Sequence, residues 1–505
     1  MRSGNPSNDV GLLKGAEMKV LLITPPGNPD VIGGDDVFIY EPLGLEYLAG
    51  AVRDQHDVRI QDFRMDRETQ LEDLLEEYKP DVVGLTADSP DVPTVYDFSQ
   101  RIKAKNDKTH VVVGGHHAKF RPFDFYRPDT IDSVVIGEGV FSFRELIQHI
   151  EKDKPLDDIA GIAYPGGDGQ VLTASRPQPR LDDYPGPARD LVQAHRSEYH
   201  DKLMKPIASV RSTVGCPYRC NFCSLWPFTD GRYLTREIEK VVEEIAALNE
   251  PNIFFTDDEA LIDRKRMTLL VEKIEEAGLN DRNYFMYIRS DSIMRNQDLV
   301  ERWADAGLAL ALVGFESFME GDLSDYNKSN TVKNNWGAIR LLQRLGVKIA
   351  AQIVIRPDYT HEDFARVKQF VEEAELATPT FTILTPLPGT PLFDKLDREN
   401  ILTSRNWGHY DLMHAVVPTK LPIEEFYEEF FKLPHEKYLQ SLFAAEQEKP
   451  EAEKIAQARK FFSVIRAHRK KRKELEQQGR TVDLLFPEEN QPMGPEAVNS
   501  QVEEA

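Results

Sequence analysis

ASVRSTVGCPYRCNFC, residues 208–223, runs from a short β-branched stretch straight into three cysteines spaced C-x3-C-x2-C. Cys216, Cys220 and Cys223 are all the cysteines among 505 residues. Gathered within eight positions on one loop, they cannot make a disulfide framework and read instead as ligands for a soft metal. Three thiolates can wrap one face of a cubane iron–sulfur cluster and leave its fourth iron without a protein ligand. An iron left open in that way can take a small molecule, as open metal sites do in catalysis. The alternatives are three buried thiols, which a core would scatter, or a zinc site, which usually takes four ligands.

Outward from this loop the chain alternates strand and helix. The runs ASVRST, NIFFTDD, YFMYIRSD, LALVGFES, KIAAQIVIR and TFTILTPLPG fall between about Ala208 and Leu392 with helical stretches between them. Six such units predict a partial (β/α)6 barrel, whose chemistry gathers at the strand C-termini. A second alternation precedes it, between Met18 and about Ile150: KVLLITPP, VRIQDF, VVGLTA, HVVVGG and SVVIGEG, with amphipathic helices such as LEYLAGAVRDQ and TVYDFSQRIKAK. This predicts an open parallel sheet of Rossmann-like type with its ligand outside the carboxyl ends of the strands. The fold class is therefore α/β. The expected domains are 18–150, a linker at 151–205 rich in Pro, Gly and Asp, a barrel at 206–394, a helical region at 395–480 and a tail at 481–505 of disordered composition.

The 62 Lys and Arg against 85 Asp and Glu give a net charge of −23, which argues against nucleic acid as a partner because phosphate contacts need clustered cations. No run of eighteen apolar residues occurs, and residues 1–17 lack the apolar stretch of a signal peptide, so a cytoplasmic location is expected. One basic stretch stands out. Phe461, Phe462, Val464 and Ile465 lie among Arg459, Lys460, Arg466, Arg469, Lys470, Lys471, Arg472 and Lys473, a pattern open to peripheral membrane contact or to docking on the protein itself.

The cysteine array, with the aromatic Phe222 before its last member, resembles the signature of the radical S-adenosylmethionine superfamily. The resemblance implies a 4Fe-4S cluster on Cys216, Cys220 and Cys223, with the amine and carboxylate of S-adenosylmethionine on the open iron. It also implies reductive cleavage to a 5′-deoxyadenosyl radical, with electrons from a donor such as flavodoxin or ferredoxin. Asp257, Asp258 and Glu259 stand where the superfamily has a polar Gly-Gly-Glu segment near the methionine amine. Arg289 then matches a partner of the methionine carboxylate and Glu316 a partner of the ribose. Gln352, Ile353 and the segment Thr385 to Gly389 fall near the adenosine.

The first domain resembles the cobalamin-binding domain that precedes many such enzymes, through Thr24-Pro25-Pro26, Glu41-Pro42-Leu43-Gly44-Leu45, Gly84-Leu85-Thr86, Val113-Gly114-Gly115-His116 and Ile136-Gly137-Glu138-Gly139. Thr86, Gly114, Gly115, Gly137, Glu138 and Gly139 are the cofactor-binding candidates: glycines admit a corrin and its nucleotide tail close to backbone, and Thr86 can donate to the tail. A flavodoxin-like domain without ligand is the alternative. The Asp-x-His-x-x-Gly motif that supplies a lower cobalt ligand in other corrinoid enzymes is absent after the first strand, and His116 and His117 read as paired surface histidines. No histidine ligand to cobalt is expected, which suits cobalt cycling during methyl transfer.

GCPYRCNFCSLWPF, NIFFTDDEALI and DLMHAVVPTKLPIEEFY (Asp411 to Tyr427) further resemble the hopanoid C-3 methylase family. This implies a radical S-adenosylmethionine methyltransferase acting on an unactivated carbon of a lipid-like substrate, with hopanoids among the candidates. An oxidative cyclase, a rearrangement catalyst and a non-catalytic iron–sulfur or corrinoid carrier remain alternatives. His414, Thr419 and Lys420 are candidates for the substrate cavity, or parts of a connector fixed by Pro418 and Pro422. Trp226 and Tyr410 either line that cavity or belong to the core.

Overall fold

In the computed structural model, which describes residues 17–29, 31, 38–167, 169–434 and 466–480, the two alternations become two parallel sheets. Lys19–Thr24 (β1), Asp57–Asp62 (β2), Val82–Thr86 (β3), His110–Gly114 (β4) and Ser133–Val135 (β5) pair in parallel. Ile162–Gly166 (β6) and Gly169–Leu172 (β7) extend them antiparallel, giving the order β2-β1-β3-β4-β5-β6-β7. Residues 162–172, whose composition reads as linker, are thus part of the first sheet.

β1 carries a near-continuous apolar run because helices cover both sides of it. Leu21 and Ile23 pack with Leu71, Tyr78 and Phe98, whereas Val20 and Leu22 pack with Leu45, Phe143 and Leu146. The strand order reverses between β1 and β3, the place where open sheets of this type admit a ligand.

The second sheet is Ile207–Val210 (β8), Asn252–Phe255 (β11), Asn283–Arg289 (β12), Leu308–Glu316 (β13), Lys348–Ile355 (β14) and Thr378–Ile383 (β15), all parallel and in chain order. Thr213–Val214 (β9) and Leu234–Thr235 (β10) form a small antiparallel pair around the cysteine loop. The six-stranded sheet leaves β8 and β15 as edges, so the barrel is partial.

Alternation along its strands sorts two faces. Ile253, Phe255, Tyr284, Met286, Val313, Phe315 and Ile353 point outward into the main core beneath the helices. Phe254, Phe285 and Leu310 point inward and, with Met204 and Ile207, make an apolar floor. Above it Tyr287, Leu312, Ala350, Gln352, Thr380 and Thr382 stay half-buried on the inward face. Ile353, expected near the adenosine, therefore belongs to the outer core, because its neighbour Gln352 takes the inward position.

Asp411 to Tyr427 covers the open edge of β15. The Ile383 amide donates to the Leu412 carbonyl at 2.6 Å, and Ala415, Ile423, Phe426 and Tyr427 join the main core. That bond gives one outward-facing amide of the edge strand a partner. His414 is held there by Asp411 at 2.8 Å, the Thr419 hydroxyl donates to the Leu421 carbonyl at 2.8 Å, and the Lys420 amide donates to the Pro357 carbonyl. The connector reading of this segment is the one its geometry supports. Tyr410 is a core aromatic, packed at a tilt against Trp407 and Phe393.

Residues 466–477 form a helix that docks on the protein itself: Arg469 pairs with Glu424, Lys471 donates to the Asn400 carbonyl, and buried His468 meets Ala415 and Thr403. Arg459, Lys460, Phe461, Phe462, Val464, Ile465 and the tail lie outside the described residues. Among the described residues no helix is long and apolar enough to cross a membrane.

Candidate functional site

β8 delivers the chain to the cysteine loop, and the next strand's C-terminus holds the loop in place. Asp257 accepts from the amides of Ser212 and Thr213, both at 2.8 Å, and from the Ser212 hydroxyl at 2.6 Å. Asp258 accepts from the Gly215 amide at 2.7 Å. Gly215 has φ +95°, and a Cβ there would lie 1.9 Å from the Arg232 carbonyl oxygen, so only glycine lets the loop pass this point. Inside the loop Trp226 donates to the Cys220 carbonyl at 3.0 Å, and Phe222 packs edge-on against Tyr326. Trp226 is thus a brace for the loop.

The three thiols are free and largely shielded from solvent; burial pushes the Cys216 thiol well up and the Cys223 thiol up to about 12. A protein would not hold bare thiolates in such a place, whereas a cationic cluster compensates their charge. Among the described residues no three His, Cys, Asp or Glu side chains converge as the ligands of a single ion would. Thiolates on three separate corners of a cubane need not converge.

A buried guanidinium faces this loop. Arg289, at the end of β12, stacks on the Tyr218 ring at 3.6 Å and donates to Cys220 Sγ at 3.7 Å, to Asp291 at 2.9 Å and to the Lys328 carbonyl. Its forked donors are shared between Cys220, Asp291 and the Lys328 carbonyl. Glu316 adopts φ +61° where the register of β13 shifts, and its side chain folds back to Lys328 Nζ at 2.6 Å. Gly314 makes room for this pair: a Cβ there would stand 2.6 Å from the Glu316 carboxylate.

Glu259 accepts from the Arg289 amide through Oε1, while its buried Oε2 has no hydrogen-bond partner. Burial raises its pKa to about 7 and that of Asp258 to about 6. The strand ends therefore bring together Cys216, Cys220, Cys223, Asp258, Glu259, Arg289 and Glu316. Tyr218, Asp291, Lys328 and the inward-facing Tyr287, Leu312, Ala350, Thr380 and Thr382 were not singled out from sequence. The period-2 pattern of the strands carried the signal for the last group; nothing marked Lys328.

Across the seam, the C-terminal edge of the first sheet presents its glycines. Gly115 has φ +101°, and a Cβ would lie 2.6 Å from the Ala87 backbone, so the protein itself requires that glycine. Gly114 has no such need, since a Cβ would make only ordinary contact with Val135 at 3.9 Å. Gly137, at φ +82°, and Gly139 continue the edge, and Thr86 ends β3 half-buried. Two buried polar atoms here, Thr24 Oγ1 and His116 Nε2, have no hydrogen-bond partner in the protein. Spare glycine and unsatisfied polar atoms at a switch point fit a large polar-rimmed ligand such as a corrin.

Glu138 is engaged within the protein, accepting from the Tyr184 hydroxyl at 3.0 Å and pairing with Arg211 at 3.5 Å. The two histidines are not on the surface. His117 is fully buried, bonded to Ser89 and Asp124 and packed on Trp407, and His116 stacks on Phe228 of the cysteine-loop helix. A helical turn directly after β4 carries both into the seam between the sheets.

Comparison with known proteins agrees with this architecture. The B12 binding domain profile matches residues 29–147, and the radical SAM superfamily profile matches residues 210–371. The chain is 30% identical over 425 residues to hopanoid C-3 methylase of Methylococcus capsulatus, covering 82% of this chain and 79% of that one. It is 28% identical over 400 residues to anaerobic magnesium-protoporphyrin IX monomethyl ester cyclase of Cereibacter sphaeroides, covering 75% of this chain and 64% of that one. The fold resembles that of the radical S-adenosylmethionine methyltransferase TsrM of Kitasatospora setae, solved with cobalamin and a [4Fe-4S] cluster, with TM-score 0.61, 20% identity, and coverage of 76% and 78%.

Proposed function

The chain belongs to the cobalamin-dependent radical S-adenosylmethionine methyltransferases, and from that premise we propose that it methylates an unactivated carbon of an apolar, lipid-like substrate. The observation that carries the substrate class is the barrel interior. Above a packed floor of Phe254, Phe285 and Leu310, the half-buried Tyr287, Leu312 and Ala350 supply an apolar lining beside the uncharged Gln352, Thr380 and Thr382. Such a surface suits a hydrocarbon skeleton. The likeness to hopanoid C-3 methylase supports a polycyclic isoprenoid within that class.

In this reading Cys216, Cys220 and Cys223 hold the cluster, and Gly114, Gly115, Gly137, Gly139 and Thr86 border the corrin. When bound, the two groups supply an electron for cleaving S-adenosylmethionine and a carrier for its methyl group. Asp257 and Gly215 fix the cysteine loop. Arg289 holds positive charge against Cys220 and, through its amide, orients Glu259. Glu259 and Asp258 keep polar groups at the strand ends above the barrel interior, where the amine of S-adenosylmethionine requires an acceptor. Glu316, fixed by Lys328, presents its remaining oxygen at the neighbouring strand end, as a ribose hydroxyl requires.

The test is anaerobic turnover of the reconstituted chain with S-methyl-labelled S-adenosylmethionine and a hopanoid such as diplopterol. Labelled lipid together with 5′-deoxyadenosine is expected. Deoxyadenosine with an unlabelled, oxidised product would replace methyl transfer by a cyclase-type reaction. Absence of both in a cluster-replete sample would overturn the catalytic reading.

A further inference from the structure

The segment Ile39 to Glu46 belongs to the first domain, yet its side chains work on the barrel. Ile39 bridges to His200. Tyr40 packs at a tilt on Phe254 at 4.7 Å, joins the barrel floor and donates to Asp201 at 2.9 Å. Glu41, buried to 5% exposure, accepts at one oxygen from the Ser209 amide at 2.5 Å and from Arg189 at 2.5 Å, and at the other from Arg196 at 2.7 Å. Arg189 in turn donates to the Ser209 carbonyl at 2.7 Å.

Ser209 lies in β8, an edge strand, and its pairing with β11 is on one side only. Its outward amide and carbonyl need partners, which another strand would ordinarily supply. A carboxylate and a guanidinium supply them instead. The rest of that edge is met similarly, the Ile207 amide by the Tyr199 carbonyl and the Arg211 carbonyl by Arg236.

The cluster is charge-balanced. Arg189, Arg196 and Arg236 face Glu41, Glu244 and Glu250. Glu46 lies 3.8 Å from Arg189, but that guanidinium is committed to Glu41 and Glu244, and neither buried Glu46 oxygen has a hydrogen-bond partner. Burial, with Glu41 alongside, lifts the Glu46 pKa to about 8, which favours its protonated form.

We propose that Tyr40 and Glu41 form a register clamp, with Glu41 the positioning residue that sets the corrin-binding edge against the strand leading into the cysteine loop. Two points along one stretch of chain define a register. Glu41 grips Ser209, and Glu138, on the loop after β5, meets Arg211 two residues further on. From Arg211 only four residues intervene before Cys216. A slip at Glu41 displaces the first domain's glycine loops relative to the cysteine loop. The clamp is a matter of structure alone; its catalytic consequence rests on the methyltransferase reading above.

The test begins with hydrogen exchange on the full chain without cofactors. In Glu41→Gln the Ser209 amide is expected to exchange at least ten times faster than in the parent, while Ala208 and Val210, which face β11, change less than threefold. Glu46→Gln, isosteric with the protonated acid, leaves Ser209 protected. Unchanged protection in Glu41→Gln overturns the clamp. Should Glu41→Gln lose protection throughout β8, Glu41→Asp, which keeps the charge and withdraws the acceptor by one methylene, is judged by the same selective readout.

The second arm uses the reconstituted enzyme with titanium(III) citrate and measures two products of S-adenosylmethionine. Methyl removal leaves S-adenosylhomocysteine, the methyl passing without its bonding electrons to the two-electron-reduced corrin of the other domain. One-electron reductive cleavage leaves methionine and 5′-deoxyadenosine, the latter after uptake of a hydrogen atom, and needs the barrel alone. Glu41→Gln is expected to lower S-adenosylhomocysteine tenfold or more and deoxyadenosine less than threefold. Equal loss of both overturns the positioning role. A parent enzyme that forms no S-adenosylhomocysteine refutes the methyltransferase reading, and the exchange result then decides the clamp by itself.

Discussion

Replacing Gly215 by alanine sets two costs against the cysteine loop, and both follow from the structure. The first is backbone conformation: at φ +95° an alanine costs about 1–2 kcal/mol. The second is steric: the new Cβ would meet the Arg232 carbonyl oxygen at 1.9 Å, far inside contact distance and against backbone that β9 and β10 hold in place. Overpacking of this kind costs a further 1–3 kcal/mol, roughly. Gly346 is the internal standard, because it has φ +72° but nothing within 4 Å of the place an alanine methyl would take. Gly346→Ala should therefore lower the apparent unfolding temperature by about 2–8 °C and Gly215→Ala by about 4–20 °C, at about 2–4 °C per kcal/mol for a domain of this size. Calorimetry of the apo chains measures both. Iron per chain after anaerobic reconstitution gives the functional consequence, expected to fall by half or more only for Gly215→Ala. Equal unfolding temperatures for the two variants, with full iron in both, would refute the argument that this glycine shapes the loop.

Other outcomes follow from single contacts. Cys220→Ala should abolish the iron–sulfur absorbance and deoxyadenosine formation while cobalamin binding, followed by its visible spectrum, stays within about threefold, since the two sites lie on separate sheets. Gly114→Ala should leave the apo unfolding temperature within about 2 °C yet weaken cobalamin binding about tenfold, roughly 1.4 kcal/mol, because only the ligand needs that space; Gly115→Ala should destabilise the apo chain through its clash with Ala87. Glu46 gives a pH dependence. Its folded pKa of about 8 exceeds the ordinary 4.5, so its contribution to stability is fully present below pH 4.5 and is lost as pH rises to 8. By pH 7 the loss is about 3 kcal/mol, at 1.36 kcal/mol per pH unit. Glu46→Gln removes it, so the variant should match the parent at pH 5 and exceed it at pH 8; parallel stability curves would show that Glu46 is ionised in the fold.

Both βα alternations and the cysteine loop at a strand end were legible from the sequence because they are written locally. A strand's alternation, a helix's period and a C-x3-C-x2-C spacing all depend on residues within a few positions of one another. That locality also placed Asp258, Glu259, Arg289 and Glu316 at strand ends. It could not say what each meets there. Arg289 turned to Cys220 and Asp291, Glu316 to Lys328, and His117 became a buried partner of Asp124 and Trp407. Glu41 shows the limit most plainly. Its partner Ser209 is 168 residues away, and the pairing exists only because β8 ends a sheet with its outer groups exposed. Strand edges, seams between domains and the covering of β15 by Asp411 to Tyr427 are properties of assembled sheets, where backbone groups left over by one element must find partners in another. Local pattern is enough to say which elements form and which chemistry they carry; which charges meet depends on the assembled sheets, because those meetings settle the hydrogen bonds and buried charges that local structure leaves unsatisfied.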